Sequence, residues 1–378
     1  MKIGIFGTKS EALYLYKNIK NTSCENICYF IDNDSRVVGK KIDDIPIISF
    51  DELLQRYPEK IDTVIIAVRG TYSRLSIMNQ LFEAGIYNVG IFKFSAHDFG
   101  KEIIISSDGS SEFIVWLNQI KKPVLPYLET NVMDSCNLKC KGCSHFSNLF
   151  KEGSRGDFEQ FKSDLNQISK KSYVIQFRLL GGEPLLNGDL PQYVAYSRKV
   201  FPDADINVVT NGLLIPKQDK VLFEVMTENK VGFHISQYKP TLNMKDKIIN
   251  ILTKNNVDYF FERGEIEQFG KNLSMKGTSD DVLAQKACIS KGCRFLRNGR
   301  IYKCPIEGVI DKFAIEYNYQ TVLEAQRGFD IYDEAIDWNE KLDDYLQNPV
   351  MMCKYCAEYC EPFDWEVQNQ PQAKDWLV

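Results

Sequence analysis

Short, wholly apolar runs alternate along most of the chain with segments whose apolar residues recur at helical spacing. Lys2 to Phe6 reads as a buried strand that ends at Gly7, and Ser10 to Lys20 carries Leu13, Tyr16 and Ile19 on one helical face. Ile27 to Ile31, Thr63 to Val68 and Val89 to Phe92 are further strands, with helices expected over 51–57 and 72–84. Strand and helix in strict alternation, with short links, predict a doubly wound parallel sheet over residues 1–100. After a mixed connector over 101–123, the alternation resumes with strands expected at 124–132, 174–180, 205–210, 231–236 and 258–262. Phe158, Phe161, Leu165 and Ile168 mark the first helix between them, and 190–201, 217–228 and 244–255 mark three more. Residues 124–285 therefore hold at least five β/α repeats, so the fold class is α/β throughout. In the last stretch, 286–378, Phe295 to Tyr302 predicts a hairpin turning at Asn298-Gly299.

Composition narrows this picture. Of 378 residues 44% are apolar, enough for packed cores, and the length suits two or three domains. The net charge is −5, from 46 basic and 51 acidic residues that are interspersed, which argues against a nucleic-acid surface. No apolar run reaches the length of a membrane span, and the N-terminus enters a strand without a signal-peptide pattern. Eleven cysteines in such a chain read as metal ligands in a reducing cytosol before they read as disulfides. Cys24 and Cys28 are the exceptions, expected to be small buried residues. Gly4 and Gly7 supply part of a dinucleotide fingerprint, but its third glycine is missing. Asp32 stands where an acidic residue meets a ribose hydroxyl, or simply closes a strand. This front segment resembles the Rossmann-like domains of sugar-modifying and polysaccharide-biosynthesis proteins.

The chemistry concentrates at Cys136, Cys140 and Cys143, spaced C-x3-C-x2-C. Thiolates this dense bind zinc or an iron–sulfur cluster, and His145 is the local candidate for a fourth zinc ligand. Three thiolates without a fourth leave one iron of a [4Fe–4S] cluster open. Downstream, Gly181-Gly182-Glu183-Pro184 ends another apolar strand. The cysteine loop followed by that strand-end motif resembles the radical S-adenosylmethionine (SAM) superfamily over roughly residues 124–262. The resemblance implies an enzyme with a partial (β/α)6 TIM-type barrel, the site lying at the C-terminal strand ends. It implies that Cys136, Cys140 and Cys143 hold a [4Fe–4S] cluster whose open iron is chelated by SAM. Gly181, Gly182 and Glu183 would approach SAM and meet its methionyl ammonium, and Pro184 would fix the turn. Ser236, and more weakly Asn211, would be further cofactor contacts. The reduced cluster would cleave SAM to a 5′-deoxyadenosyl radical that abstracts substrate hydrogen, with flavodoxin or ferredoxin as one-electron donor. His145 and His234 are either site contacts or ordinary loop and core histidines, and His97 carries no signal. Glu262, Arg263 and Glu265 are either substrate contacts or a solvated loop, and Arg178 points either into the barrel or outward.

Six cysteines remain near the C-terminus. Counting outward from Asn298-Gly299 sets Cys293 opposite Cys304, at a cross-strand Cβ spacing of about 4.5–5.5 Å. Cys353 and Cys356 form a C-x2-C pair, so these four are the first-choice ligand set, with Cys288 as the substitute. A zinc ribbon would use the same thiolates. The arrangement resembles the SPASM or twitch domains that follow many radical SAM barrels, and the resemblance implies a second, auxiliary [4Fe–4S] cluster. Cys360 is an outer ligand, a hydrogen donor or a buried thiol. The tail from Phe363 to Trp376 is expected to pack over a cluster. The expectation is a cytoplasmic enzyme acting on a small molecule, a sugar or nucleotide sugar. Two alternatives stand beside it: a radical SAM peptide maturase, and a non-catalytic sugar-nucleotide-binding protein.

Overall fold

The structure is a computed structural model, which describes residues 1–19, 26–68, 71–93, 103–105, 111–262, 264–290 and 292–378. Cys24, His97 and Arg263 fall outside them. The chain divides into two compact units, Met1–Val124 and Leu125–Val378.

The first unit is built on β1 (Lys2–Phe6), α1 (Ser10–Asn18), β2 (Asn26–Ile31), β3 (Lys41–Ile42), β4 (Ile45–Ile48), α2 (Phe50–Arg56), β5 (Thr63–Ile66), α3 (Thr71–Glu83), β6 (Val89–Phe92) and β7 (Ile114–Trp116). The sheet order is β3-β4-β2-β1-β5-β6-β7, with β4, β2, β1, β5 and β6 parallel and the two outer strands antiparallel. The parallel part doubles back at β1, as in doubly wound sheets. β3 is only two residues long, and β7 lies in the apolar run Phe113 to Leu117 inside the stretch expected to be a connector. α2 starts where Ser49 and Glu52 form a reciprocal capping box. At the crossover, Gly7 adopts φ +119° because a Cβ there would lie 2.8 Å from the Ala67 carbonyl. Asp32 is already engaged, accepting from Thr8 Oγ1 at 2.5 Å and the Asp34 amide at 3.0 Å.

The second unit contains β8 (Val124–Leu125), β9 (Leu128–Met133), α4 (Phe158–Lys171), β10 (Tyr173–Val174), β11 (Gln176–Gly181), α5 (Leu190–Val200), β12 (Asp205–Thr210), α6 (Lys220–Glu228), β13 (Gly232–Ile235), α7 (Lys239–Leu242), α8 (Lys245–Lys254) and β14 (Tyr259–Phe261). There follow β15 (Gln268–Leu273), α9 (Asp281–Ala287), the hairpin β16 (Phe295–Arg297) and β17 (Arg300–Tyr302), α10 (Pro305–Tyr317), β18 (Phe329–Asp330), α11 (Trp338–Gln347) and β19 (Cys356–Asp364). One sheet runs β14-β13-β12-β11-β9-β16-β17-β18, with the first six strands parallel. The sixth parallel strand is thus the hairpin strand β16, which adds to β9 at the sheet's start. β15, next in sequence after β14, pairs antiparallel with β19 instead. The cysteine-rich segment is in this way built onto the barrel sheet.

Alternation along the strands sorts their faces. Leu128, Val132, Phe177, Leu179, Ile206, Val208, Phe233 and Ile235 join the helices in one core. The intervening Glu129, Asn131, Arg178, Asn207 and His234 give the opposite, inner face a polar character. A second core gathers Phe146, Phe295, Phe313 and Trp376. No helix of the described residues is long and apolar enough to cross a membrane.

Candidate functional site

The three-cysteine loop leaves the C-terminal end of β9, and the chain after β11 packs directly against it. The Gly182 amide donates to the Met133 carbonyl at 2.8 Å and the Glu183 amide to Ser135 at 3.0 Å. This approach requires glycine. A Cβ on Gly181, at φ +144°, would sit 1.8 Å from the Met133 oxygen, and one on Gly182 would sit 2.2 Å from that of Ser135. Pro184 starts a single 3-10 turn.

Glu183 departs from expectation. Its carboxylate is fully buried and accepts from Thr210 Oγ1 at 2.6 Å, the Asn211 amide at 3.0 Å and the Leu185 amide at 3.0 Å. Burial pushes its pKa up to about 7 against the pull of those donors. The side chain turns inward and braces the ends of β11 and β12, so the glycine backbone is what remains to face a methionyl ammonium. Asn211 is where a cofactor contact was expected. Its Nδ2 donates to Asn137 Oδ1 at 2.9 Å and lies 3.9 Å from Cys136 Sγ. Ser236 follows β13, its amide donating to the Thr210 carbonyl at 2.9 Å.

The thiols of Cys136 and Cys140 are raised first by burial, Cys140 to about 12, and each is raised further by neighbouring cysteines. Tyr238 is raised by burial and then by the charges of Cys140, Cys143, Cys136 and Glu183. Buried thiolates this close repel one another and need a multiply charged metal centre to compensate them. Among the described residues, no three His, Cys, Asp or Glu side chains converge tightly enough for a single metal ion. Three thiolates on one loop are a donor set that fits a [4Fe–4S] cluster with one open iron.

The sequence gives the tail 363–376 no motif, yet two of its indoles reach the loop. Trp365 Nε1 donates to Cys140 Sγ at 3.2 Å, and Trp376 Nε1 donates to the Cys143 carbonyl at 2.9 Å. Cys140 and Val367 form an antiparallel bridge, and Lys141 pairs with Glu366 at 2.7 Å. A second support is an inner-face network, unforeseen because its members come from separate strands. Arg297 grips Asp134 through two bonds of 2.7 and 3.1 Å, and Asn131 bonds Asp134 at 3.0 Å. His145 bonds Asn131 at 3.1 Å, and burial pushes its pKa down to about 4. His234 contacts Glu262 and stacks on Phe260 at 4.3 Å, at the active-site end of β13 and β14. Arg178 lies on the inner face, paired with Asp205 at 3.0 Å.

Cys304, Cys353 and Cys356 are each raised first by burial, and each also feels the charge of Cys288. Cys288 caps the end of α9, Cys304 the start of α10, and Cys353 and Cys356 lie in and after one short 3-10 turn. Cys293 feels Cys288 as well, after burial and Glu129, and it hydrogen-bonds that carboxylate. The hairpin ladder ends at Phe295 and Tyr302, and the Arg294 carbonyl accepts from the Glu129 amide on β9. Cys288, the substitute ligand, is the thiol whose charge Cys293, Cys304, Cys353 and Cys356 all share. Cys360 lies at the rim, its Sγ 2.1 Å from where a Cβ on Gly270 would be.

Residues 130–262 match the family model described as "Radical SAM superfamily". Curated relatives include a GTP 3',8-cyclase of Limosilactobacillus fermentum, 27% identical over 30% of this chain and 34% of its own. Another, from Heliobacterium modesticaldum, is 34% identical over 24% of this chain and 28% of its own. The chain spans about a third of the length of the curated relatives it matches. Among solved structures, BtrN in complex with AdoMet and 2-DOIA is 16% identical, with a TM-score of 0.38 over 68% of this chain and 100% of that one.

Proposed function

We propose, from the premise that this chain belongs to the radical SAM superfamily through residues 130–262, that it abstracts hydrogen from a carbohydrate or nucleotide sugar. When bound, the cluster and SAM supply a 5′-deoxyadenosyl radical; a one-electron donor of the flavodoxin or ferredoxin kind starts the cycle. Cys136, Cys140 and Cys143 hold the cluster. The Gly181–Gly182 backbone, Asn211 and Ser236 line the SAM position, and Glu183 holds the strand ends that carry them. Cys288, Cys304, Cys353 and Cys356 would hold a second [4Fe–4S] cluster, which would supply a one-electron acceptor beside the substrate.

The observation that supports this substrate class is the pairing of His234 with the half-exposed Glu262 beside Phe260 at the C-terminal ends of β13 and β14, polar groups and a ring face of the kind that hold hydroxyl-rich molecules. Eleven cysteines suit a reducing compartment, where thiols stay available as metal ligands. The test is anaerobic turnover with SAM, dithionite and a panel of ring-deuterated nucleotide sugars. Deuterium in 5′-deoxyadenosine from one of them is the expected result. Deuterium only from peptide substrates would replace this reading with peptide maturation, and no 5′-deoxyadenosine at all would end the enzyme reading. A Cys136/Cys140/Cys143→Ala triple variant is expected to make no 5′-deoxyadenosine and to keep about 4 of about 8 irons.

A further inference from the structure

We infer that Trp365 is a positioning residue for the SAM-binding cluster, setting its reduction potential through a hydrogen bond to a ligand sulfur. The indole N–H donates to Cys140 Sγ at 3.2 Å across 225 residues of sequence. The geometry is built around the ring. Tyr238 stacks on Trp365 with centroids 5.1 Å apart and planes at 28°. The Trp365 amide donates to the Glu267 carbonyl at 2.7 Å. The residues after it are tied to the loop itself, with Lys141 donating to the Glu366 carbonyl at 3.0 Å and Gln368 donating to the Lys139 carbonyl at 2.7 Å. The side chain is thus held on both faces of its backbone and on its ring, and its one polar atom is aimed at a thiolate.

A hydrogen bond to a cluster sulfur draws electron density from the thiolate and favours the reduced, more negative state. The bond therefore raises the potential of this cluster, which eases its loading by an external one-electron donor and makes the reduced cluster a milder reductant. The ring also covers Cys140 against water. This inference rests on the cluster reading above, and the test separates the two.

The test is an EPR-monitored redox titration of the reconstituted holoenzyme, the SAM-binding cluster being the signal that changes when SAM is added. Trp365→Phe is expected to lower the midpoint of that signal, leave the other cluster's midpoint in place, and leave iron content unchanged. Benzothienylalanine at position 365 keeps the ring shape and lacks only the N–H, so it decides the matter if the phenylalanine variant fails to load. An unchanged midpoint in the benzothienyl variant would overturn the inference. A wild-type protein without any SAM-sensitive signal would instead overturn the cluster reading itself.

Discussion

Replacing Cys288 with alanine is expected to halve the iron of the anaerobically reconstituted protein, from about eight to about four per chain, while Cys293→Ala keeps about eight. The contrast follows from which thiols share an environment. Cys304, Cys353 and Cys356 each feel Cys288; Cys293 feels it too, but behind Glu129, whose carboxylate it also hydrogen-bonds. Colorimetric iron and sulfide assays read the outcome directly. The two variants also differ in kind. Cys293→Ala strips a hydrogen-bond partner from a buried carboxylate and is expected to cost about 1–3 kcal/mol in stability, read by denaturant melts of the apoprotein. The reverse pattern, iron lost with Cys293 and retained with Cys288, would restore the ligand set that hairpin register suggests.

Gly181→Ala is expected to be the most damaging single-methyl substitution in the barrel. The new Cβ would lie 1.8 Å from the Met133 oxygen, and the backbone sits at φ +144°, where L-residues are strained. Strain and overlap together predict a loss of at least about 3 kcal/mol. Because the strand end must move off the cysteine loop, SAM binding by equilibrium dialysis is expected to fall beyond detection. Gly188→Ala is the control, since a Cβ there meets nothing within 4 Å. Wild-type stability in Gly181→Ala would show that β11 and the loop are not held in this contact.

What could be read in advance follows from the range of the signal. The strands at 205–210 and 89–92 were legible to the residue because apolar runs and their turn residues are local. The loop cysteines and Gly181-Gly182 were legible for the same reason. The ligand set of the C-terminal cysteines was less so, because it depends on which distant segments meet: Thr130 Oγ1 reaches the Leu296 carbonyl across 166 residues, a contact that no local pattern announces. The bonds that Glu183 accepts from the Thr210 hydroxyl and the Asn211 amide were not legible, because those donors lie at the end of another strand. Trp365 and Trp376 were covered only by the expectation that the tail packs over a cluster, since an indole carries no spacing signal for a thiolate so distant in sequence.

The two indole clasps also impose a schedule on biosynthesis. Cys140 and Cys143 receive them from residues 225 and 233 positions later. At about 5–20 residues per second, a ribosome needs roughly 10–45 s to cover that interval. Throughout it the three thiols are exposed on a nascent chain whose sheet still lacks β16 beside β9. Metal loaded then would meet an unfinished cradle open to oxygen and to the wrong ion. Cluster delivery is accordingly expected to follow synthesis of Trp376, which makes maturation of this protein a post-translational event.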